Sequence, residues 1–467
     1  MHRMTFPLLF ALFAAFGAVA PASRPAAGAP PAVQAQPAAL DPDFMGMAIR
    51  DPWYEFNTNP AYPNAANRAF LDAMGANLAT MGVRWVRLEF HIPVPVDSPD
   101  LGAVDWEIGK NDYFINEVAP RHGFKVLGLL GFGLVPWSDP RGLNSTTYIA
   151  SAYGGAVNRY MDTWLTRALR IADRYRDRIA GYEILNEQNR LPQFGGTGPA
   201  GDSIAPVVTA RLMTKFYRFC KNIEPGDQNH GCQPETRIIF GGLHPRGTSD
   251  PANQGRIVMT DVQYVEQAFS DGGDRNPFRE FAAKWGYFPV DGMGYHPYPE
   301  EIRLSPNDVL VDRGINRMRQ ALASVADPCM PFWVTEIGYN VGFDPDGAKN
   351  PRPPQTEAGQ ATFLQDVYTT LAARRLPAGC GGGREVANVF WFKYEDFPPA
   401  EDIKDSKGNV LVPAQKWGVV RIPFNGNGSY DVNGTPSRYR LAFSTYRALA
   451  GAVVYENPIF LPQMFRQ

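Results

Sequence analysis

Eight short apolar runs recur along the chain, each followed by a longer stretch whose apolar residues fall at helical spacing. The runs are FMGMAI from Phe44, RWVRLEF from Arg84, FKVLGLL from Phe124 and IAGYEIL from Ile179. RIIFGGL from Arg237, VDGMGYH from Val290, FWVTEIG from Phe332 and VANVFWF from Val386 complete the set. Runs this short, bounded by turn residues, fit strands buried on both faces. Between the first two, Phe70, Met74, Leu78 and Met81 recur at i, i+4, i+8 and i+11, which predicts a helix closed by Gly82. Val157, Met161, Trp164, Leu165, Ala168, Ile171 and Tyr175 make a second stripe before the fourth run. Further helices are predicted at about 207–220 and 309–325, after a Thr356 cap through Phe363, Val367 and Leu371, and in SRYRLAFSTYRALAG near the end.

Eight strands alternating with helices predict an α/β chain of the (β/α)8 TIM-barrel class, with one catalytic domain over residues 41–467. A doubly wound open sheet is the rival. It calls for a glycine-rich phosphate turn after the first strand, and the turn here reads RDPWYEF. No internal repeat is apparent.

The first 20 residues, MHRMTFPLLFALFAAFGAVA, have a basic start, an apolar run and Ala18-Val19-Ala20 at the end, the pattern of a cleaved export signal. An uncleaved membrane anchor is the alternative, although the run is short for a span. Residues 21–40 read as a Pro/Ala-rich tether with nothing to bury. A secreted, periplasmic or extracellular location follows, with no membrane contact after cleavage. Two disulfides, Cys220 with Cys232 and Cys329 with Cys380, suit such a compartment. A zinc site is disfavoured because no C-x-x-C spacing or paired His accompanies the cysteines. The net charge of −2 and the absence of a Lys/Arg cluster argue against a nucleic-acid partner. Aromatic residues make up 12% of the chain, enough to supply stacking surfaces as well as core.

In a barrel of this kind, chemistry gathers at the C-terminal ends of the strands. Those ends present Arg87, Glu89 and His91 on one face of strand 2, and Trp137 after strand 3. Strand 4 delivers Asn186 and Glu187, with Glu183 facing inward below them. His244, then His296 and Tyr298, then Glu336, then Trp391 follow on strands 5 to 8. Two carboxylates at one barrel mouth suit glycosidic-bond cleavage. One donates a proton to the leaving oxygen, and the other attacks the anomeric carbon when the two are roughly 5 Å apart.

The motifs YEILNEQN, GYHPYP and WVTEIGYN, with the Arg of WVRLEF and the Trp of VFWFKYED, resemble the strand-end signatures of retaining glycoside hydrolases of clan A, in register over about 41–451. The resemblance implies Glu187 as general acid/base and Glu336 as nucleophile. It implies Asn186 on the sugar 2-hydroxyl, Tyr298 donating to Glu336 with help from Arg87, and Trp391 as a stacking floor. His296 would bind a sugar hydroxyl or orient a neighbour. No cofactor and no metal are implied, and the partner is an oligo- or polysaccharide with a β-linkage. The pattern is closest to family 39-like or family 5-like barrels, but it departs from many relatives. LLGFGLVPW has no His at the end of strand 3, and Gln188 stands where many relatives have Pro.

Less specific readings compete with these assignments. Arg87 and Glu89 could simply pair with each other. Trp53, Tyr54 and Trp137 could line a cleft or pack their own loops. Rival functions are a catalytically silent sugar-binding barrel, and a metal-dependent hydrolase using His91, His244 and His296.

Overall fold

The computed structural model describes residues 39–57, 65–135, 140–189, 203–227, 230–245, 259–270, 275–298, 308–341, 356–397, 403–404, 410–412, 416–423 and 434–452. Eight parallel strands close a barrel in sequence order: β1 (Met45–Ala48), β2 (Trp85–Glu89), β3 (Lys125–Leu130), β4 (Gly181–Ile184), β5 (Arg237–Leu243), β6 (Gly292–Tyr295), β7 (Phe332–Gly338) and β8 (Val386–Phe392). The pairing of β1 with both β2 and β8 completes the closure, which removes exposed sheet edges. All eight predicted strands are present. The fold class read from the apolar pattern therefore holds.

The helices follow the predicted stripes. Helix Arg159–Tyr175 starts at Asn158, whose side chain accepts from Met161 N, and buries Met161, Trp164, Leu165, Ala168, Ile171 and Tyr175. Helix Ala65–Met81 buries Phe70, Met74, Leu78 and Met81, and Gly82 takes a φ of 80° to end it, a conformation glycine adopts without a Cβ clash. Thr356 caps helix Glu357–Ala373 by accepting from Gly359 N at 3.0 Å, a contact of the kind whose removal costs about 1 kcal/mol. Between β8 and the last predicted helix the sequence suggests only a long loop. The structure adds two small antiparallel pairs there, Ile403–Lys404 with Val410–Val412 and Val420–Arg421 with Arg438–Tyr439. Two- and three-residue strands carry too little periodicity to read from sequence.

Inside the barrel, Trp85, Leu127, Ile239, Trp333 and Phe390 form a separate apolar layer. Trp85 meets Trp333 edge-on with ring centroids 5.3 Å apart. Glycines on β1 and β6 make room for these rings. A Cβ on Gly46 would lie 2.5 Å from Phe390, and one on Gly292 would lie 2.5 Å from Trp333. This plug fills the interior as layers of side chains do in such barrels. The polar residues one step further along the same strands sit above it, toward the mouth. Both disulfides are formed, Cys220–Cys232 with Cα atoms 5.1 Å apart and Cys329–Cys380 with Cα atoms 5.3 Å apart. Among the described residues, no helix is long and apolar enough to cross a membrane.

Candidate active site

Strand periodicity determines what reaches the mouth. On β2, Trp85 joins the apolar plug and Arg87, two residues on, faces the same way one layer higher. Arg87 is buried, and each of its three guanidinium nitrogens donates one hydrogen bond. Nε donates to Glu183 Oε2 at 2.6 Å, Nη1 to Glu336 Oε1 at 2.6 Å and Nη2 to Asn186 Oδ1 at 2.8 Å. Burial opposes its charge, yet the Glu183 and Glu336 carboxylates outweigh that and raise its pKa. The competing reading, in which Arg87 and Glu89 pair with each other, is not what the structure shows: among the described residues Arg87 forms its ion pairs with Glu183 and Glu336. Arginine can only donate, so the contact also fixes the Asn186 amide with its oxygen toward Arg87 and its NH2 turned to other partners.

The chain leaves β4 through an unusual backbone. Leu185 and Glu187 have φ of 66° and 46°, in the left-handed region that non-glycine residues occupy at a cost of about 1–3 kcal/mol each. Two hydrogen bonds hold this exit, Leu185 N to Leu130 O at 3.0 Å and Glu187 N to Gly242 O at 2.9 Å. Leu185 stays fully buried while Glu187 turns to the mouth. Gln188 and Asn189 are buried supports. Gln188 donates to Gly241 O at 3.1 Å, and Asn189 brackets the His244 backbone at 2.8 and 3.1 Å.

Glu336, at the end of β7, faces Glu187 across this space, and His296 lies between them. His296 Nδ1 is 3.1 Å from Glu187 Oε1 and 3.8 Å from Glu336 Oε2, and one oxygen of each carboxyl lies within 4.8 Å of the other. Tyr298 hydrogen-bonds Glu336, and burial followed by the Glu336 and Glu187 charges pushes its phenol pKa well up, so it stays a donor. The His244 ring stacks on Tyr298 with centroids 6.5 Å apart. Arg87, Asn186, Glu187, His296, Tyr298 and Glu336 are therefore brought together as the sequence suggests.

Two expected residues are not. Trp391 is fully buried and packs on Phe363 of helix Glu357–Ala373, with ring centroids 6.1 Å apart, so it faces the helical layer and not the mouth. The alternation of β8 puts Phe390 and Phe392 inward and Trp391 outward, and a one-residue offset reverses the face. Phe392 lines the mouth instead, and Trp417 packs edge-on against both Phe392 and Tyr298, at 5.8 and 6.0 Å. Trp137 lies outside the described residues.

A cavity of about 560 Å³ opens beside the carboxylates, lined also by Arg50, Asp51, Tyr54, Glu89, Phe392, Lys393 and Phe397. This size suits a small-molecule or oligomeric ligand. Tyr54 belongs to this wall, whereas Trp53 is buried and donates to Glu107 at 2.6 Å. Asp51, Glu89 and His91 form a second cluster there, with His91 Nε2 2.9 Å from Asp51 Oδ2. The Asp51 carboxylate also accepts the Glu89 N–H at 2.6 Å. Composition at the strand ends flagged Glu89 and His91. Asp51, Lys393 and Phe397 come from loops, which carry no periodic signal.

Two groups among the described residues have donor types that a divalent ion accepts, Asp51/Glu89/His91 and Glu187/His296/Glu336. His91, His244 and His296, the trio a metal-dependent hydrolase would use, do not share a cluster. Within each group the donors already bind one another or protein neighbours.

No protein-family model matches the sequence, and no curated protein matches it. Solved structures do. The chain is similar to β-glycosidase BGL167, at 15% identity and a TM-score of 0.52, over 90% of this chain and 99% of that one. It is also similar to the AHE enzyme from Alicyclobacillus herbarius, at 13% identity and a TM-score of 0.51, over 89% and 99%. A family 39 glycoside hydrolase from Bacteroides cellulosilyticus WH2 matches at 14% identity and a TM-score of 0.44, over 89% of this chain, which spans 65% of that one. At these identities the likeness is one of fold, the (β/α)8 barrel.

Proposed function

We propose that the chain is a retaining glycoside hydrolase that cleaves a β-linked oligo- or polysaccharide by double displacement. The observation that carries this reading is the Glu187–Glu336 pair, whose carboxyl oxygens approach within 4.8 Å. Direct attack requires carboxyl groups about 5–5.5 Å apart, and water-mediated inversion about 6.5–9.5 Å. The short separation supports the first.

In this mechanism Glu336 attacks the anomeric carbon while Glu187 gives its proton to the departing oxygen, leaving a glycosyl ester on Glu336. Glu187, now a carboxylate, takes a proton from water, and the resulting hydroxide displaces Glu336 from the sugar. Arg87 and Tyr298 both donate to Glu336, which suits an anionic nucleophile held in one orientation. Asn186, its oxygen tied to Arg87, has its NH2 available for the sugar 2-hydroxyl, where hydrogen bonds strengthen in the transition state. Among the described cavity residues, with Glu187 in its acid form, Asp51, Glu89 and Glu336 stand against Arg50, Arg87 and Lys393, so no large net charge demands an ionic substrate. The likeness of the barrel to a β-glycosidase supports the same reading.

The domain layout goes with this function: an export signal over 1–20, a tether over 21–40 and the catalytic barrel from 41, acting outside the cytoplasm. Two disulfides agree with that location. The test is hydrolysis of a glycoside panel by the wild type and by Glu187→Gln and Glu336→Gln variants. Both variants lose activity if the assignment is right, and near-normal turnover by either refutes it.

A further inference from the structure

Glu183, Thr335 and His296 are all fully buried behind the two carboxyls, and their hydrogen bonds can run in only one direction. Glu183 accepts from Arg87 Nε on one oxygen, and from Gly242 N at 2.9 Å and Thr335 Oγ1 at 2.8 Å on the other. A hydroxyl carries one proton, and Thr335 commits it to Glu183. Toward His296 Nε2, 3.0 Å away, the Thr335 oxygen can then only accept. His296 Nε2 therefore bears hydrogen, and in the neutral ring Nδ1 is a bare lone pair 3.1 Å from Glu187 Oε1. A lone pair there favours a protonated Glu187, because two acceptors facing each other in a buried site repel.

Resting on the assignment of Glu187 as general acid, we infer that Thr335 and Glu183 are positioning residues: they fix His296 in the tautomer whose Nδ1 accepts the Glu187 proton, and so keep Glu187 in its acid form. The opposite tautomer would donate to Glu187 and stabilise its carboxylate, which suits a base but not an acid. β5 makes space for the arrangement, since a Cβ on Gly242 would lie 2.1 Å from His296 Nε2 and 2.5 Å from Thr335 Oγ1. The charged and titratable groups around the ring are Glu183 and Glu187 from β4 and its exit, Glu336 from β7, Arg87 from β2, and Tyr298 beside it with His244 stacked behind. Burial opposes charge on His296, while Glu336 and the hydrogen-bonded Glu187 raise its pKa, so the neutral ring described above is the form present at pH above that raised value.

The test compares Thr335→Val, which keeps the shape and loses the hydroxyl, with Thr335→Ser, which keeps the hydroxyl. NMR of 15N-histidine-labelled protein, with His296 assigned through Glu187-independent loss of its signal in His296→Gln, reads the tautomer without any activity. The wild type and the Ser variant are expected to show protonated Nε2 and bare Nδ1, and the Val variant to gain the Nδ1–H form. In kcat/KM against pH, the alkaline limb is expected to fall by about one unit in the Val variant alone, a tenfold change in ionisation constant. Its loss at neutral pH should be about tenfold for alkyl glycosides and under about twofold for aryl glycosides with acidic phenols, which need little protonation. An unchanged tautomer and limb in the Val variant, or an equal shift in the Ser variant, overturns the inference. A wild type with the expected tautomer that hydrolyses no glycoside overturns the proposed function and leaves the hydrogen-bond assignment standing.

Discussion

Arg87 and Glu336, 249 residues apart in sequence, meet at 2.6 Å through Nη1 and Oε1 in a buried layer above the apolar plug. The same guanidinium ties Glu183 and Asn186, so one side chain links β2, β4 and β7. Arg87→Ala leaves these acceptors unpaired. A fall in kcat/KM of about 10²–10³ is expected, with a stability loss of about 3–5 kcal/mol in urea titration. Lys, a single point charge, cannot span three acceptors, so Arg87→Lys should fail nearly as badly in activity. Wild-type kcat/KM in the Lys variant would contradict the role given to the fork.

The outward face of Trp391 and the inward face of Phe392 predict opposite phenotypes. Trp391→Ala opens a hole between β8 and its helix and should cost about 3–5 kcal/mol with KM unchanged. Phe392→Ala removes part of the cavity wall and should raise KM more than it lowers stability. Steady-state kinetics and thermal melts on both variants check the pair, and a raised KM in the Trp391 variant would reverse the assignment of faces.

Glu89 supplies a pH signature. Burial raises its pKa above the ordinary value, His91 partly offsets this, and Asp51 adds to the rise. A carboxyl whose folded pKa is raised contributes stability below the usual carboxylate range and loses it as pH climbs through the folded value. Glu89→Gln removes that loss. The Tm of the variant minus that of the wild type should therefore grow from about pH 4 to about pH 8. A difference that is flat or shrinks with pH would contradict the burial of this group.

The disulfides make a stability prediction. By the chain-entropy account, Cys329–Cys380, spanning 51 residues, is worth about 4 kcal/mol and Cys220–Cys232, spanning 12, about 3 kcal/mol. Paired Cys→Ser variants should follow that order in urea midpoints. The reverse order would point to one bridge being offset elsewhere.

Much of this was legible in the chain because strand runs and helical stripes are regular. The apolar runs IAGYEIL and FWVTEIG bring Asn186, Glu187 and Glu336 to one end of the barrel, and the two-residue period puts Arg87, Glu89 and His91 on one face of strand 2. For Trp391 the sequence shows residue type and strand end, but its face requires the register of β8 against β1 and β7. Asp51 and Lys393 come from loops, and the reach of a loop side chain has no period to read. Nor could a sequence show that Thr335 orients His296, because that follows from hydrogen-bond direction in three dimensions.

The central claim is a covalent glycosyl ester on Glu336. For whichever nitrophenyl glycoside the wild type hydrolyses, the matching 2-deoxy-2-fluoro glycoside with a good leaving group should add one sugar mass to the intact protein. Peptide mass spectrometry should locate that mass on Glu336, with the Glu336→Gln variant unlabelled. A label on another residue, or a first-formed product of inverted anomeric configuration without any adduct, would contradict the account.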